Sequence, residues 1–168
     1  VDIEDISQGL AYKFRWEGQI MGMTCAEHSM LVSDIIKALW PESGEALGGL
    51  LHNAAQAYLG ALSAPMRHCV HVSQPRGIIE PWGSMRSRLS GIVAKAFGLE
   101  PGFGSTEVVQ AADILAVAIE KSQWPGSREG TRKGLPAIPP EISHFKVYCL
   151  EPSEAKQLYL DRCMDLIE

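Results

Sequence analysis

The chain contains no uninterrupted apolar run of the about 18 residues that a membrane-spanning helix requires. Its first residues, Val1-Asp2-Ile3-Glu4-Asp5, are acidic where a secretory leader starts basic. A cytoplasmic protein without membrane association is therefore expected. Cysteine is scarce. Cys25, Cys69, Cys149 and Cys163 lie far apart with no C-x-x-C pair, so buried or free thiols are expected rather than a disulfide framework or a structural zinc site. Positive charge is in deficit, with 15 Lys and Arg against 20 Asp and Glu and a net charge of −5. That balance disfavours bulk nucleic-acid binding, which depends on basic surface to displace counterions, but leaves room for a small anion held by a few local side chains. Internal repeats, low-complexity tracts and dividing linkers are also missing. With 168 residues, 46% of them hydrophobic, the chain is sized for one domain with a substantial core, spanning 1–168.

What is present reads as helix, because apolar residues recur every three or four positions and β-branched alternation is sparse. Ile3, Ile6, Leu10 and Phe14 form one stripe. Leu31, Ile35, Ile36 and Leu39 form a second, ending at Trp40-Pro41. Leu47, Leu50, Leu51, Ala54, Tyr58 and Leu59 form a third, entered through Ser43-Gly44 and left through Gly60. A fourth runs from Met85 to Phe97 before Gly98, and a fifth from Val108 to about Lys121 after a Ser105-Thr106-Glu107 start. A last helix is predicted over 152–167. Before it, 121–151 reads as a loop-rich insertion dense in Gly, Pro and basic residues, with a short strand or extended piece at His144–Leu150. The expected class is all-α: a bundle of about six or more helices with a long Gly/Pro-rich loop ahead of the C-terminal helix.

Three polar side chains fall on otherwise apolar helix faces, where a bundle builds an internal metal site from facing helices: His28, His52 and Asp113. His28 shares a stripe with Leu31, Val32 and Ile35. Asp113 shares one with Val109, Ala112 and Ala116, and a carboxylate there is costly unless paired or bound to a cation. Singly, each residue is more often a satisfied core group than a ligand. The other candidates are weaker. His68-Cys69-Val70-His71 reads as a loop rather than a zinc site. Arg128, Arg132 and Lys133 read as a solvated loop rather than a flap over phosphate. Gly98–Gly104 lacks the strand-then-helix setting of a phosphate-binding glycine loop and is given no nucleotide role. Tyr148, Leu158 and Tyr159 are expected in the core or at a subunit contact.

The ordered motifs resemble those of the HD-domain phosphohydrolases, in particular the small bacterial and phage group of 5'-deoxynucleotidases and dATP triphosphohydrolases. Leu50-Leu51-His52-Asn53-Ala54-Ala55-Gln56-Ala57-Tyr58-Leu59-Gly60-Ala61 is similar to that group's L-L-H-D-A-x-E-A-Y-L-G-D helix. Phe14-Arg15-Trp16-Glu17-Gly18 resembles its R-F/W-x-G element, and Ala26-Glu27-His28-Ser29 its A-E-H-S segment. Ser63-Ala64-Pro65-Met66-Arg67 is similar to its S-x-P-hydrophobic-K/R loop, and Ala112-Asp113 to its final A-D. Residues 3–120 are covered. The resemblance implies that His28, His52, Asn53 and Asp113 are metal ligands, for Mn, Co, Zn or Mg if a metal is held at all. It implies that Arg15, Trp16, Pro65, Met66 and Arg67 contact a nucleotide or deoxynucleotide, with Arg15 on the phosphate and Trp16 on the sugar or base. It also implies a homo-oligomer, by default a dimer, and fits a bacterial or phage source.

The departures fall on the acids. Asn53, Gln56 and Ala61 stand at three acidic positions of the motif, Gln56 and Ala61 at those of the catalytic acids. Asn53 still offers a carbonyl oxygen, but uncharged, so a cation would be held more weakly. Gln56 cannot take up a proton, which removes general acid/base assistance typically worth about 10²–10⁴-fold in rate. Natural decay of catalysis with binding retained and deliberate inactivation both fit this pattern. The leading expectation is a nucleotide-binding HD protein, a pseudoenzyme whose catalysis is weak or lost. The alternatives are an active metal-dependent phosphohydrolase on a deoxynucleoside mono- or triphosphate, and a protein-interaction module with neither metal nor nucleotide.

Overall fold

A computed structural model describes residues 1–18, 22–60, 62, 64–124 and 134–167. The protein is mostly helical, with a small two-stranded sheet. Its helices are α1 (Ile3–Ala11), α2 (Cys25–Leu39), α3 (Ala46–Leu51), α4 (Ala54–Leu59), α5 (Ala64–Arg67), α6 (Trp82–Ala96), α7 (Glu107–Gln123) and α8 (Pro152–Ile167). None among the described residues is long and apolar enough to cross a membrane.

Helix α2 is the central element. Thr24 caps it, its hydroxyl accepting from the Glu27 N–H at 3.0 Å, and its residues from Cys25 to Ser33 are buried on every side. A helix apolar around most of its circumference must be surrounded, and α1, α3, α7 and α8 all pack on it. Two core clusters meet along it. One gathers Ile6, Leu10, Leu50, Leu51, Val93, Tyr159 and Cys163 from α1, α3, α6 and α8. The other gathers Val32, Ile35, Ile36, Val109, Ala116 and Ile119 from α2 and α7. Tyr159, fully buried, donates its hydroxyl to Leu50 O at 2.9 Å and so ties α8 to the end of α3. Tyr148 and Leu158, by contrast, are exposed.

Two features differ from the sequence expectations. The third helix is two, α3 and α4, interrupted at His52-Asn53. There the His52 ring bonds Gly49 O at 2.6 Å and the Gln56 N–H closes a tight turn on Asn53 O at 2.8 Å, so the helix gives way to a turn at the polar pair. A hairpin was not expected at all. Strands β1 (His71–Ser73) and β2 (Ile79–Pro81) pair antiparallel with Val72 opposite Glu80, and three-residue strands are too short for a period of two to register. His144–Leu150, read as a short strand or extended piece, forms no ladder among the described residues. Its backbone is held by side chains instead: Glu27 accepts from the N–H groups of Tyr148, Cys149 and Leu150 at 2.6, 3.0 and 3.3 Å, and Gln123 bonds Phe145 O and Val147 N. The segment ahead of α8 is not purely peripheral either, since Ile142 is fully buried beneath α2 and α7. Arg128, Arg132 and Lys133 lie outside the described residues.

Candidate metal centre and anion cleft

His28 on α2, His52 at the α3/α4 break and Asp113 on α7 converge, each offering one ligand atom within 4.8 Å of the others. The two imidazoles meet edge to face with centroids 5.3 Å apart. Asp113 Oδ1 lies 3.0 Å from His28 Nε2 and 4.0 Å from His52 Nε2. Both rings are oriented from behind. His52 donates from Nδ1 to Gly49 O, leaving Nε2 with its lone pair toward the cluster. His28 places Nδ1 2.5 Å from Glu120 Oε1, which turns its Nε2 the same way. Although Asp113 is near, His28 Nε2 makes no properly angled hydrogen bond and is a buried nitrogen without a hydrogen-bond partner. Two oriented imidazoles, a carboxylate and an orphaned buried nitrogen fit a divalent cation of the borderline-soft kind, and carboxylate-backed histidine is the usual outer support of such a site.

Glu120 is the residue that sequence reasoning missed. It sits two turns after Asp113 on the same face of α7, a spacing of seven that was available as a signal. It is buried, and its second oxygen accepts from Arg15 Nη2 and Trp16 Nε1, both at 3.1 Å. An antiparallel bridge between Phe14 and Thr24 delivers these two residues, with Arg15 N bonding Met23 O at 2.9 Å. Trp16 adopts a left-handed backbone (φ 55°) to do so. Its ring packs 6.3 Å from that of Trp124, and its indole N–H supports Glu120.

The electrostatics follow from burial set against these pairings. Desolvation and the Arg15 charge oppose a proton on His28, but Glu120 and Asp113 outweigh them and its pKa is raised. For His52 the Asp113 charge and the bond to Gly49 O favour a proton too weakly: burial first, then the neighbouring His28, push it down to about 4, so it is neutral at pH 7. Burial alone would raise the Asp113 and Glu120 carboxyls, yet His28 and Arg15 hold both below the usual carboxylate range.

The cluster opens onto a cleft of about 540 Å³ bounded by Arg15, Asn53, Gln56, Arg67, Arg86 and the Gly102–Ser105 segment. That volume is ordinary for a small-molecule site. Asn53 Nδ2 donates to His52 Nε2 at 2.7 Å, and Asn53 Oδ1 accepts from Gln56 Nε2. Arg67, at the end of α5, lines the cleft; Met66 is exposed and does not. Pro65 falls in α5 with its side chain outside the described part, and Ala61 lies outside the described residues. Arg86 on α6 gave no sequence signal. The glycine segment, set aside for want of a strand-to-helix context, does border the cleft: a Cβ on Gly104 would come 3.2 Å from His52 Cα. His71 and Cys69 are exposed and join no metal-type cluster among the described residues.

No family model matches the chain. The chain is 32% identical, over 136 residues, to an uncharacterized protein of Rhodobacter capsulatus, a match that takes in 77% of this chain. The chain spans 65% of that relative's length.

Proposed function

We propose that this chain is an HD-type nucleotide-binding protein whose phosphohydrolase chemistry is weak or lost. The observation that carries the reading is the convergence of His28, His52 and Asp113 at one end of a cleft that also holds Arg15 and Arg67 but has amides at Asn53 and Gln56. His28, His52 and Asp113, with Asn53 as a neutral fourth, would hold a divalent cation, which would supply Lewis-acid polarisation of a phosphoryl oxygen and lower the pKa of a water. The chain's own residues do the rest. The guanidiniums of Arg15 and Arg67 neutralise phosphate charge, the former with its Nε still unpartnered. Glu120 keeps His28 in register. Gln56 can orient a water or a phosphate oxygen but cannot accept a proton, so the step needing a base lacks its acceptor. The protein then acts by occupancy, as a cytoplasmic homo-oligomer of bacterial or phage type.

The test combines loading and repair. Elemental analysis of the purified protein and of His28→Ala and Asp113→Ala should give a transition metal that both variants lose. A deoxynucleotide at 100 times its dissociation constant should add about 2.7 kcal/mol of stability, read as a rise in melting temperature. Asn53→Asp, Gln56→Glu and Ala61→Asp together should restore hydrolysis. A restored protein that keeps its metal yet neither binds nor cleaves any nucleotide overturns the reading.

One observation favours the second reading, an active hydrolase. The two histidines and Asp113 are assembled within 4.8 Å of one another, so they would hold a divalent cation, which would activate a water without help from residue 56. Manganese-dependent release of phosphate from deoxynucleotides by the unaltered chain, abolished in Asp113→Ala, would select it.

A further inference from the structure

Among the arginines whose side chains are described, three have a carboxylate partner. Arg15 pairs with Glu120 at 3.1 Å, Arg88 with Glu80 at 2.9 Å and Arg162 with Asp34. Arg67 and Arg86 have neither an ion pair nor a hydrogen bond among the described residues, although the chain carries more acids than bases. These two come from different helices, α5 and α6, and both face the cleft. They also share an adjoining hollow of about 50 Å³, floored by Ala55 and Leu59 and flanked by Trp82 and Gln56. Arg86 is partly buried. Its positive charge is disfavoured first by desolvation and then by Arg67, with only Asp113 across the cleft in its favour. Two cations brought together with no carboxylate bonded to either among the described residues are an unfavourable arrangement that a bound polyanion relieves.

Position decides which polyanion. Gln56 lies beside both arginines and is hydrogen-bonded to Asn53, which in turn bonds His52. The arginine pair is thus set off from the metal-type ligands by the width of this amide pair. A phosphoryl group at His28, His52 and Asp113 leaves Arg67 and Arg86 to be met by a second one. The geometry points to an Arg67–Arg86 subsite that binds the second phosphoryl group of a di- or triphosphate, making the cleft selective for phosphate chains over single phosphates. This deepens the nucleotide-binding reading above and rests on it for the placement of the first phosphoryl group. Guanidinium forks suit the task because each engages phosphate oxygens two at a time.

The experiment uses pyrophosphate and orthophosphate as probes, by isothermal titration calorimetry in metal-free buffer at low ionic strength, where such contacts are least screened. The unaltered chain should bind pyrophosphate at least tenfold more tightly than orthophosphate. Arg86→Gln and Arg67→Gln should each lower pyrophosphate affinity about tenfold or more and bring the two probes together. Arg86→Gln should melt no lower than the unaltered chain, since it removes a like-charge contact. Should it fail to fold, Arg86→Lys, which keeps the charge but loses the fork, should show a smaller loss for pyrophosphate than Arg67→Gln. Equal affinity for both probes, or a preference untouched by either glutamine variant, overturns the subsite. The two readings fail separately. A deoxynucleoside triphosphate binding no better than pyrophosphate, with Arg86 still required, keeps the subsite and sinks the nucleotide. Deoxynucleotides that bind with no dependence on chain length or on Arg86 do the reverse.

Discussion

Replacing Gln56 by Glu should tighten metal binding even though residue 56 need not touch the metal. The hydrogen bonds around it run in one direction: Gln56 Nε2 to Asn53 Oδ1, Asn53 Nδ2 to His52 Nε2, His52 Nδ1 to Gly49 O. A backbone carbonyl only accepts, so the direction of the whole series is fixed from that end. His52 Nε2 is consequently covered by an amide N–H. A cation at that nitrogen displaces the amide and costs one buried hydrogen bond, about 0.5–1.5 kcal/mol net. In the native chain both amides can rotate afterwards, Asn53 presenting oxygen to the centre and nitrogen to Gln56. A glutamate at 56 accepts only, so Asn53 is turned that way before any metal arrives, fastened by a charge-assisted bond. The displacement cost disappears and the added negative charge acts in the same direction. Together they favour the cation by about 1–2 kcal/mol, or about 5–30-fold in affinity. Titration of the metal-free protein with manganese or cobalt measures this directly, with Gln56→Ala as the variant that frees Asn53 without adding charge. Folded Gln56→Glu binding no tighter than the native chain would refute the argument, because the hydrogen-bond order leaves no other way for the amide to lie.

Glu120→Gln leaves the buried Arg15 guanidinium without its carboxylate and His28 without an anionic acceptor; chemical denaturation should show a loss of about 3–5 kcal/mol, the usual cost of breaking a buried pair from one side. Gly9→Ala should cost about 1–3 kcal/mol, because a Cβ there would lie 2.7 Å from Ala57 Cβ and 2.9 Å from Ala57 O, forcing α1 off α4. Cys163 is buried on the inner side of α8, and that burial lifts its thiol from 9.0 to about 11. The unfolded thiol therefore ionises first: this contribution to stability is whole below pH 9 and is lost as pH rises toward 11, a difference on the order of 2–3 kcal/mol. Denaturation midpoints from pH 8 to pH 11 should fall less steeply in Cys163→Ser than in the native chain, and parallel curves would count against it.

Helices whose ends are written in local chemistry were legible from the residues. Thr106 starts α7, Gly98 follows α6, and Trp40-Pro41 closes α2, each through a capping group or a residue that cannot continue the helix. The break at His52-Asn53 was not legible, because the apolar spacing runs straight through it and the interruption is made by the His52 ring bonding Gly49 O and by the Gln56 N–H closing on Asn53 O. Glu120 was hidden for a different reason. A carboxylate near the end of an exposed-looking helix is ordinary, and only the arrival of Arg15 and Trp16 from over a hundred residues earlier makes it a buried hub. His28, His52 and Asp113 stood out in sequence because each is polar on an apolar face. Arg86 could not, since an arginine in a partly exposed helix looks the same whether or not an acid awaits it.

The amide at position 56 and the two arginines without a carboxylate partner among the described residues are linked through the cleft's charge. A carboxylate at position 56 would stand beside Arg67 and Arg86 and neutralise them, as Glu120 does for Arg15 and Glu80 for Arg88. With Gln56 there, the same guanidiniums are left free for a ligand. The Gln56→Glu variant should therefore trade one binding property for another: metal affinity rises by the factor argued above while metal-free pyrophosphate affinity falls, by about tenfold if the glutamate engages a single arginine. Measured on one protein preparation, the two titrations must move in opposite directions. If both rise, the arginines are not meeting the probe; if both fall, residue 56 is holding the fold of the α4 helix rather than the charge of the cleft.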